Sequence, residues 1–201
     1  GSVDATASIT REIAASDDRI RLVSHARNLG FGMAVRSGIE AARHAWFFYT
    51  DCDGQFDLDE LRTLWDLRAQ CDVISAFRRR RMDPGLRLFY TLCYNTLAWI
   101  LFWGGFMDVD CSFKLYRRSI FQVVRPRSTC GVIDLEILHL ARGHGFRVRQ
   151  LPVTHRPRRA GTVSFETVRW GFFAWVRLAA VRQMFAQLWD LRVRTWRGDV
   201  R

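Results

Sequence analysis

Apolar residues along this chain fall into two regimes, spaced runs that suit one face of a helix and short unbroken runs that suit a strand buried on both sides. Ala7 to Ala15 is helix-like, with Asp4 and Thr6 placed to cap it. Ile20-Arg21-Leu22-Val23-Ser24 reads as a short strand, and Met33 to Ala42 as a helix that turns Ala34, Ile39 and Ala42 inward. Trp46-Phe47-Phe48-Tyr49 is an unbroken apolar run that predicts a fully buried strand. Leu58 to about Arg68 then reads as a helix, Val73 to Phe77 as a strand, and Phe146 to Val153 as an alternating strand. No charged residue occurs from Leu88 to Met107. Tyr90, Thr91, Tyr94, Asn95 and Thr96 make its first half polar, which favours an amphipathic helix at an interface over a span. Trp99 and Trp103 share one face of it and suit an interface or a core alike. Residues 165–196 read as one long helical region rich in Trp and Phe, interrupted too often by Arg to cross a bilayer.

Strands alternating with helices of this length predict an α/β fold with a mostly parallel sheet flanked by helices. One body is expected over residues 1–163, followed by an amphipathic helical tail over 164–201 that lies on a membrane surface.

Composition changes this picture in one respect. The apolar and charged fractions are those of a globular domain, but the formal charge of +11 is high. It predicts an anionic partner, which is nucleic acid, an acidic membrane surface or a phosphorylated substrate. Nucleic acid is disfavoured, because the chain carries no recognised nucleic-acid module and its candidate centre is acidic. The five cysteines are scattered without zinc spacing and, with no basic or apolar leader at Gly1-Ser2-Val3-Asp4, fit a reducing cytoplasm.

The candidate chemistry sits where strands end. Asp51 and Asp53 follow the Trp46 strand two residues apart, at the end where open α/β sheets place their ligands. Two carboxylates so spaced suit one hard divalent ion, Mg²⁺ or Mn²⁺, and suit a polar turn equally. Asn28-Leu-Gly30-Phe-Gly32-Met-Ala34 stands between a strand and a helix, where glycine lets backbone approach a phosphate or a neighbouring helix. It is not a full dinucleotide fingerprint. Arg78 heads a run of four arginines at another strand end, a position suited to phosphate oxygens. Asp108 and Asp110 precede a further short strand, and Asp134 and Glu136 read as acids at a helix start.

In order, these pieces resemble the family 2 glycosyltransferases of GT-A fold, and among them the dolichyl- or polyprenyl-phosphate sugar transferases. Gly1 to Thr6 is similar to the end of the family's DDGSxDxT, which gives Asp4 a donor-side role. Asn28 to Ala34, with Gly38, is similar to NxGxGxAxxxG, and Asp51-Cys52-Asp53-Gly54-Gln55 to the metal motif DxDxQ. Phe77-Arg78 takes the place of Ser-Arg, Arg87 with Asn95 resembles RxxxSxxxN, and Asp108 to Leu115 resembles DxxxGFKL with Ser112 for Gly. Arg158-Arg159-Ala160-Gly161 resembles the RxxG of the acceptor loop, although Val163-Ser164 lacks the Lys that usually follows. The family's first strand and its PxYNE signature are not among these residues, so the resemblance implies an N-terminally truncated member.

The resemblance implies a Rossmann-like sheet and inverting transfer of a sugar from a UDP- or GDP-sugar to a polyprenyl phosphate, by a peripheral protein on the cytoplasmic face of a membrane. Asp51 and Asp53 would hold Mg²⁺ or Mn²⁺, with Gln55 steadying that shell or the phosphates. Asp4, Asn28, Gly30, Arg78, Arg87 and Lys114 would serve donor or acceptor phosphates, and Arg158 and Arg159 the lipid phosphate. Asp108 would orient the acceptor or act as base, or Asp110 in its stead. A soluble transferase with a saccharide acceptor and a non-catalytic basic module are the competing expectations.

Overall fold

Trp46–Thr50 forms a strand (β1) where its aromatic run predicts one, but at the end of the sheet and half-buried rather than fully enclosed, and it pairs antiparallel with β3, Phe113–Arg117. β3 pairs antiparallel with β2, Val73–Arg78, which pairs in parallel with β4, Val148–Val153. The order β1-β3-β2-β4 is a mixed sheet, not the mostly parallel one expected. The cause lies after β2. The chain runs through α4 (Gly85–Leu101) and a strap over residues 105–112. It then re-enters beside Thr50, opposite Phe113, so β3 starts at the end where β1 stops and runs back. The computed structural model describes residues 1–79, 85–102, 105–157, 166–170, 173–176 and 178–198, with the backbone course alone for 85–91, 166–170, 173–176 and 178.

The pleat sorts side chains onto two faces. Phe47, Tyr49, Val73 and Tyr116 join α5 (Val132–Gly143), the second half of α4 and α6 (Leu178–Arg197) in the larger core, with Val132, Ile133, Leu138, Leu188 and Leu191 fully enclosed. Phe48, Ile74, Phe113 and Leu115 face the other way onto α3 (Leu61–Asp66), a short helix flanked by 3₁₀ turns where one longer helix is expected. α2 (Phe31–Ala41) lays Val35 and Ile39 against the larger core, whereas α1 (Thr6–Ser16) buries no residue.

Two further expectations are corrected. Ile20 to Ser24 forms no strand; Ile20 and Val23 are exposed, and no ladder reaches them. Strand preference is realised through neighbours' hydrogen bonds. Here a cavity of about 410 Å³, lined among others by Arg19, Arg21, Arg43 and Trp46, lies between residues 18–21 and 42–47. Among the described residues no strand pairs with the other edge of β1. The long region expected to be helical from 165 opens instead with two antiparallel strands, β5 (Glu166–Trp170) and β6 (Phe173–Val176). Thr167, Val168, Phe173 and Trp175 are residues of strand preference, and each strand supplies the other's ladder.

α6 is a full partner of the core. Arg194 reaches through it to Glu136 on α5, Nη2 to Oε1 at 2.7 Å, while its Nε donates to Asp190 at 2.8 Å. Glu136 is wholly enclosed, and its other oxygen accepts the backbone N–H groups of Arg127 and Ser128. A buried charge stripped of its counter-ion is costly. Arg194→Ala is therefore expected to lower unfolding free energy by about 3 kcal/mol in urea denaturation, well beyond the loss of an exposed arginine.

Candidate active site

The C-terminal ends of β1 and β2 and the start of β3 lie at one edge of the sheet and form a rim, and the strap from Asp108 to Ser112 leads into it. Asp51 is exposed at the end of β1, and the Ser112 hydroxyl donates to its Oδ2 at 2.5 Å. Asp53 is half-buried in the following turn and accepts the Gln55 N–H at 3.2 Å. Gly54 completes that turn with φ 71°, a left-handed value that suits glycine. Gln55 itself points away from solvent, and its Nε2 donates to the Arg156 carbonyl at 3.1 Å. Arg156 returns a backbone bond to the Gln55 carbonyl at 2.7 Å and an ion pair to Asp57 at 2.6 Å. Gln55 thus braces the carboxylate turn against the base of the segment that leads to Arg158 and Arg159. Those two, like Arg80, Arg81 and Trp103, lie outside the described residues.

Arg78 and Asp108 form a two-toothed pair across the rim. Nε meets Oδ2 at 2.7 Å, Nη2 meets Oδ1 at 2.8 Å, and the Arg78 backbone N–H adds a third bond at 3.2 Å. Both side chains are about 7% exposed, so the pair is a fixed part of the floor. Lys114, expected near the donor phosphates, points into the larger core with no exposure. Its Nζ donates to Asp134 Oδ1 at 2.6 Å and to the Val109 carbonyl at 3.0 Å. It holds the strap from below. Asn95 on α4 accepts the Val109 N–H at 3.4 Å and holds it from the side. Arg87 lies on α4 as well, near its start.

Asp110 is half-buried between these pairs. Burial raises its proton affinity first, then the charges of Asp134 and Asp108, against the pull of Arg78 and Lys114, and its pKa is pushed up to about 7.

The glycines of the Asn28 segment meet protein. Asn28 Oδ1 accepts the Gly30 N–H at 2.8 Å, and Gly30 takes φ 94° just before α2. The Gly32 N–H donates to the Thr129 carbonyl at 2.9 Å. A Cβ on Gly32 would stand 2.4 Å from the Ser128 carbonyl oxygen, and one on Gly30 2.5 Å from that of Thr129. Gln187 of α6 fixes the same loop by accepting the N–H groups of Thr129 and Cys130. Gly1 packs beside Arg27 and Asn28, and exposed Asp4 accepts the Thr6 N–H at 3.1 Å just before α1. The structure gathers Asp51, Asp53, Gln55, Arg78, Asp108 and Asp110 around one rim, sets Lys114 in the core beneath it, and gives Asp4 a bond to the Thr6 N–H.

Asp134, Glu136, Ser112 and Gln187 were not legible as parts of this architecture. Asp134 and Glu136 carried a signal, since two carboxylates inside Val-Ile-Asp-Leu-Glu-Ile-Leu must be buried with cations to match.

Asp51 and Asp53 fit a hard divalent ion through their chemistry: oxygen donors two residues apart, one exposed and one half-buried, on a strand end. Among the described residues no three His, Cys, Asp or Glu side chains converge to hold a metal. A site of two carboxylates completed by substrate phosphates and water is the usual setting for Mg²⁺.

Comparison with known proteins follows the same lines. The model of glycosyl transferase family 2 matches residues 1–125. The glycosyltransferase AglD of Haloferax volcanii is 30% identical over 177 residues, covering 84% of this chain and 28% of its own. A dolichyl-phosphate beta-glucosyltransferase of Trichomonas vaginalis is 27% identical over 168 residues, covering 76% of this chain and 50% of its own. The chain therefore spans half or less of these two relatives. Glucosyl-3-phosphoglycerate synthase of Mycobacterium tuberculosis, crystallised with Mn²⁺, UDP and phosphoglyceric acid, superposes with a TM-score of 0.66 at 18% identity, covering 96% of this chain and 65% of its own. That likeness shows the GT-A fold.

The close approach at Gly32 reverses an ordinary expectation. Gly→Ala inside a helix stabilises by up to about 1 kcal/mol. Gly32→Ala is expected to destabilise by about 1–3 kcal/mol, measured by thermal or urea unfolding, because the methyl group meets backbone that α6 holds in place.

Proposed function

The chain belongs to glycosyl transferase family 2, and we propose that it serves inverting transfer of a sugar from a nucleoside diphosphate sugar, UDP- or GDP-linked, to a polyprenyl phosphate at the cytoplasmic surface of a membrane. The observation that carries this reading is the rim itself: Asp51 and Asp53 on one strand end, with the Arg78–Asp108 pair and the strap that bears Asp110 beside it. Asp51 and Asp53 would hold Mg²⁺ or Mn²⁺, which when bound supplies Lewis-acid stabilisation to the departing diphosphate. The protein's own part is positional. Ser112 orients Asp51, Gln55 anchors the turn that carries Asp53, and Arg78, paired with Asp108, fixes the strap over the strand ends.

The acceptor class is supported by a relative named for dolichyl phosphate and by the outer faces of two helices. α6 exposes Phe185, Trp189 and Trp196 beside Arg182 and Arg197, and α4 exposes Leu92, Trp99 and Ile100. Aromatic side chains rimmed by arginine suit the headgroup region of an anionic bilayer. No described helix is long and apolar enough to cross one. A soluble transferase with a small acceptor is the second reading, favoured by the phosphoglyceric acid bound to the structural neighbour.

Two measurements test the proposal. Calorimetry with Mn²⁺ should detect UDP or GDP binding that Asp53→Ala weakens by about tenfold or more. Loss of nucleotide binding by every route, metal or none, would count against a donor site. In flotation assays, vesicles containing phosphatidylserine should retain the protein at high salt, and Trp189→Ser with Trp196→Ser should release it. Retention that vanishes with salt alone favours the soluble reading.

A further inference from the structure

We propose that Ser112 is a positioning residue that sets which divalent ion the rim accepts. It ties down one oxygen of Asp51, so that this carboxylate meets an ion chiefly through the other, and it thereby favours Mg²⁺ or Mn²⁺ over Ca²⁺. The inference rests on the reading of Asp51 and Asp53 as ion ligands above.

The contact follows from the sheet register. β1 and β3 run antiparallel, with Thr50 opposite Phe113. One step beyond that last pair, Asp51 leaves β1 where Ser112 enters β3. Residues opposite each other in an antiparallel pair stand side by side on one face. The Ser112 hydroxyl donates to Asp51 Oδ2 at 2.5 Å, the short range of a hydroxyl on a charged oxygen. The motif that residues 108–115 resemble has glycine at this position, so the hydroxyl is this chain's own.

The two partners differ in freedom. Ser112 is 4% exposed and lies between Cys111 and Phe113, both wholly enclosed. Its backbone is held from either side. Four residues before it Asp108 is paired with Arg78, and two residues after it Lys114 is paired with Asp134 and also donates to the Val109 carbonyl. Asp51 is exposed, and Ser112 is the one hydrogen-bond partner of its carboxylate among the described residues. The fixed hydroxyl therefore orders the mobile carboxylate, and not the reverse.

That order bears on an ion in two ways. A ligand already in place loses less freedom on binding, which raises affinity. Selectivity follows from how the two oxygens are shared. The hydroxyl draws charge from Oδ2 and takes part of its accepting capacity, which leaves Oδ1 the stronger donor. Asp53 is constrained in the same sense, since its Oδ1 accepts the Gln55 N–H at 3.2 Å. Ca²⁺ gathers about six to eight oxygens in flexible geometry and often takes both oxygens of a carboxylate. Mg²⁺ demands near-octahedral geometry, keeps several waters and needs only one or two carboxylates, and Mn²⁺ favours the same oxygen donors. A carboxylate that offers one oxygen from a fixed position suits the smaller ions and leaves Ca²⁺ a ligand short.

The experiment compares wild type with Ser112→Ala, Ser112→Gly and Ser112→Thr, the last of which keeps a hydroxyl. Free Mn²⁺ is followed by electron paramagnetic resonance in the presence of UDP or GDP, Ca²⁺ is titrated in as competitor, and metal-free Tm reports on folding. Ser112→Ala is expected to bind Mn²⁺ about tenfold more weakly, and its preference for Mn²⁺ over Ca²⁺ should narrow by about fivefold or more. Its metal-free Tm should stay within about 4 °C of wild type, because the carboxylate it releases is exposed and returns to water. Ser112→Gly, the second variant without a hydroxyl, should show the same two losses. Ser112→Thr should keep both quantities within about threefold of wild type. Mn²⁺ affinity and preference unchanged in a folded Ser112→Ala or Ser112→Gly overturn the proposal and leave Asp51 and Asp53 standing as ion ligands. An equal loss for both ions overturns the assignment of ion choice to Ser112. A wild type that binds no Mn²⁺ with either nucleotide overturns the donor-site reading and this inference together.

Discussion

A lysine ammonium enclosed without exposure is the constraint on which this architecture turns. Lys114 sits in the middle strand of the antiparallel trio, on the face toward α5. Left unpaired there it would lose its proton or unfold the domain. Asp134 meets it at 2.6 Å from the first turn of α5, and the Val109 carbonyl takes a further bond. One cation therefore ties β3 both to the strap that leads into it and to α5, twenty residues on. The Arg78–Asp108 pair does the same between β2 and the strap, with a third bond to backbone. Such pairs contribute little net stability against an apolar replacement. What they supply is position, since the strap can settle only where both carboxyl groups find their cations.

The loops around the rim are fixed by the same principle at lower charge. Glu136, wholly enclosed, takes two backbone N–H groups and Arg194, and so ties residues 127–128 to both α5 and α6. Gln187 takes the next two N–H groups in line. The loop so fixed presses on Gly30 and Gly32 at the start of α2. The inner face of α6 therefore reaches, through one loop, the segment that enters α2. Its outer face carries the exposed tryptophans. On the other side of the rim Gln55 and Asp57 secure Arg156 to the turn that holds Asp53.

How much of this was legible depends on whether the signal is local. Strand β1, helices α1, α2 and α5, and the strand ends carrying Asp51, Asp53 and Arg78 were readable because unbroken and periodic apolar runs report on themselves. Strand direction was not readable, because it depends on where the chain re-enters after α4, and nothing in the composition of residues 105–112 states that. Ile20 to Ser24 has strand composition, but strand formation needs a neighbour that the local sequence does not name. The glycines of the Asn28 segment were read correctly as a demand for close approach, and the open choice between ligand and protein is met here by Ser128 and Thr129. Lys114 was placed near phosphates by its motif. The pleat instead turns it to the face of Tyr116 and away from that of Phe113, which alternation along β3 could have told.

The charge distribution gives the remaining step. The chain as a whole carries +11, yet its rim holds Asp51, Asp53, Asp108 and Asp110 within a few residues of strand ends, against Arg78 and a Lys114 already neutralised. A positive exterior raises the local concentration of anions over a distance set by ionic strength, about 8 Å at physiological salt. At the rim the sign reverses, and a diphosphate brought there meets carboxylates. Attraction at long range and repulsion at contact are reconciled by a divalent cation between them, or by a proton on the carboxyl that has no cation of its own. The first would suit two acids on one strand end, one exposed and one half-buried. The second requires that one acid of the strap retain its proton near neutrality, and only Asp110 among these has neither an arginine nor a lysine assigned to it.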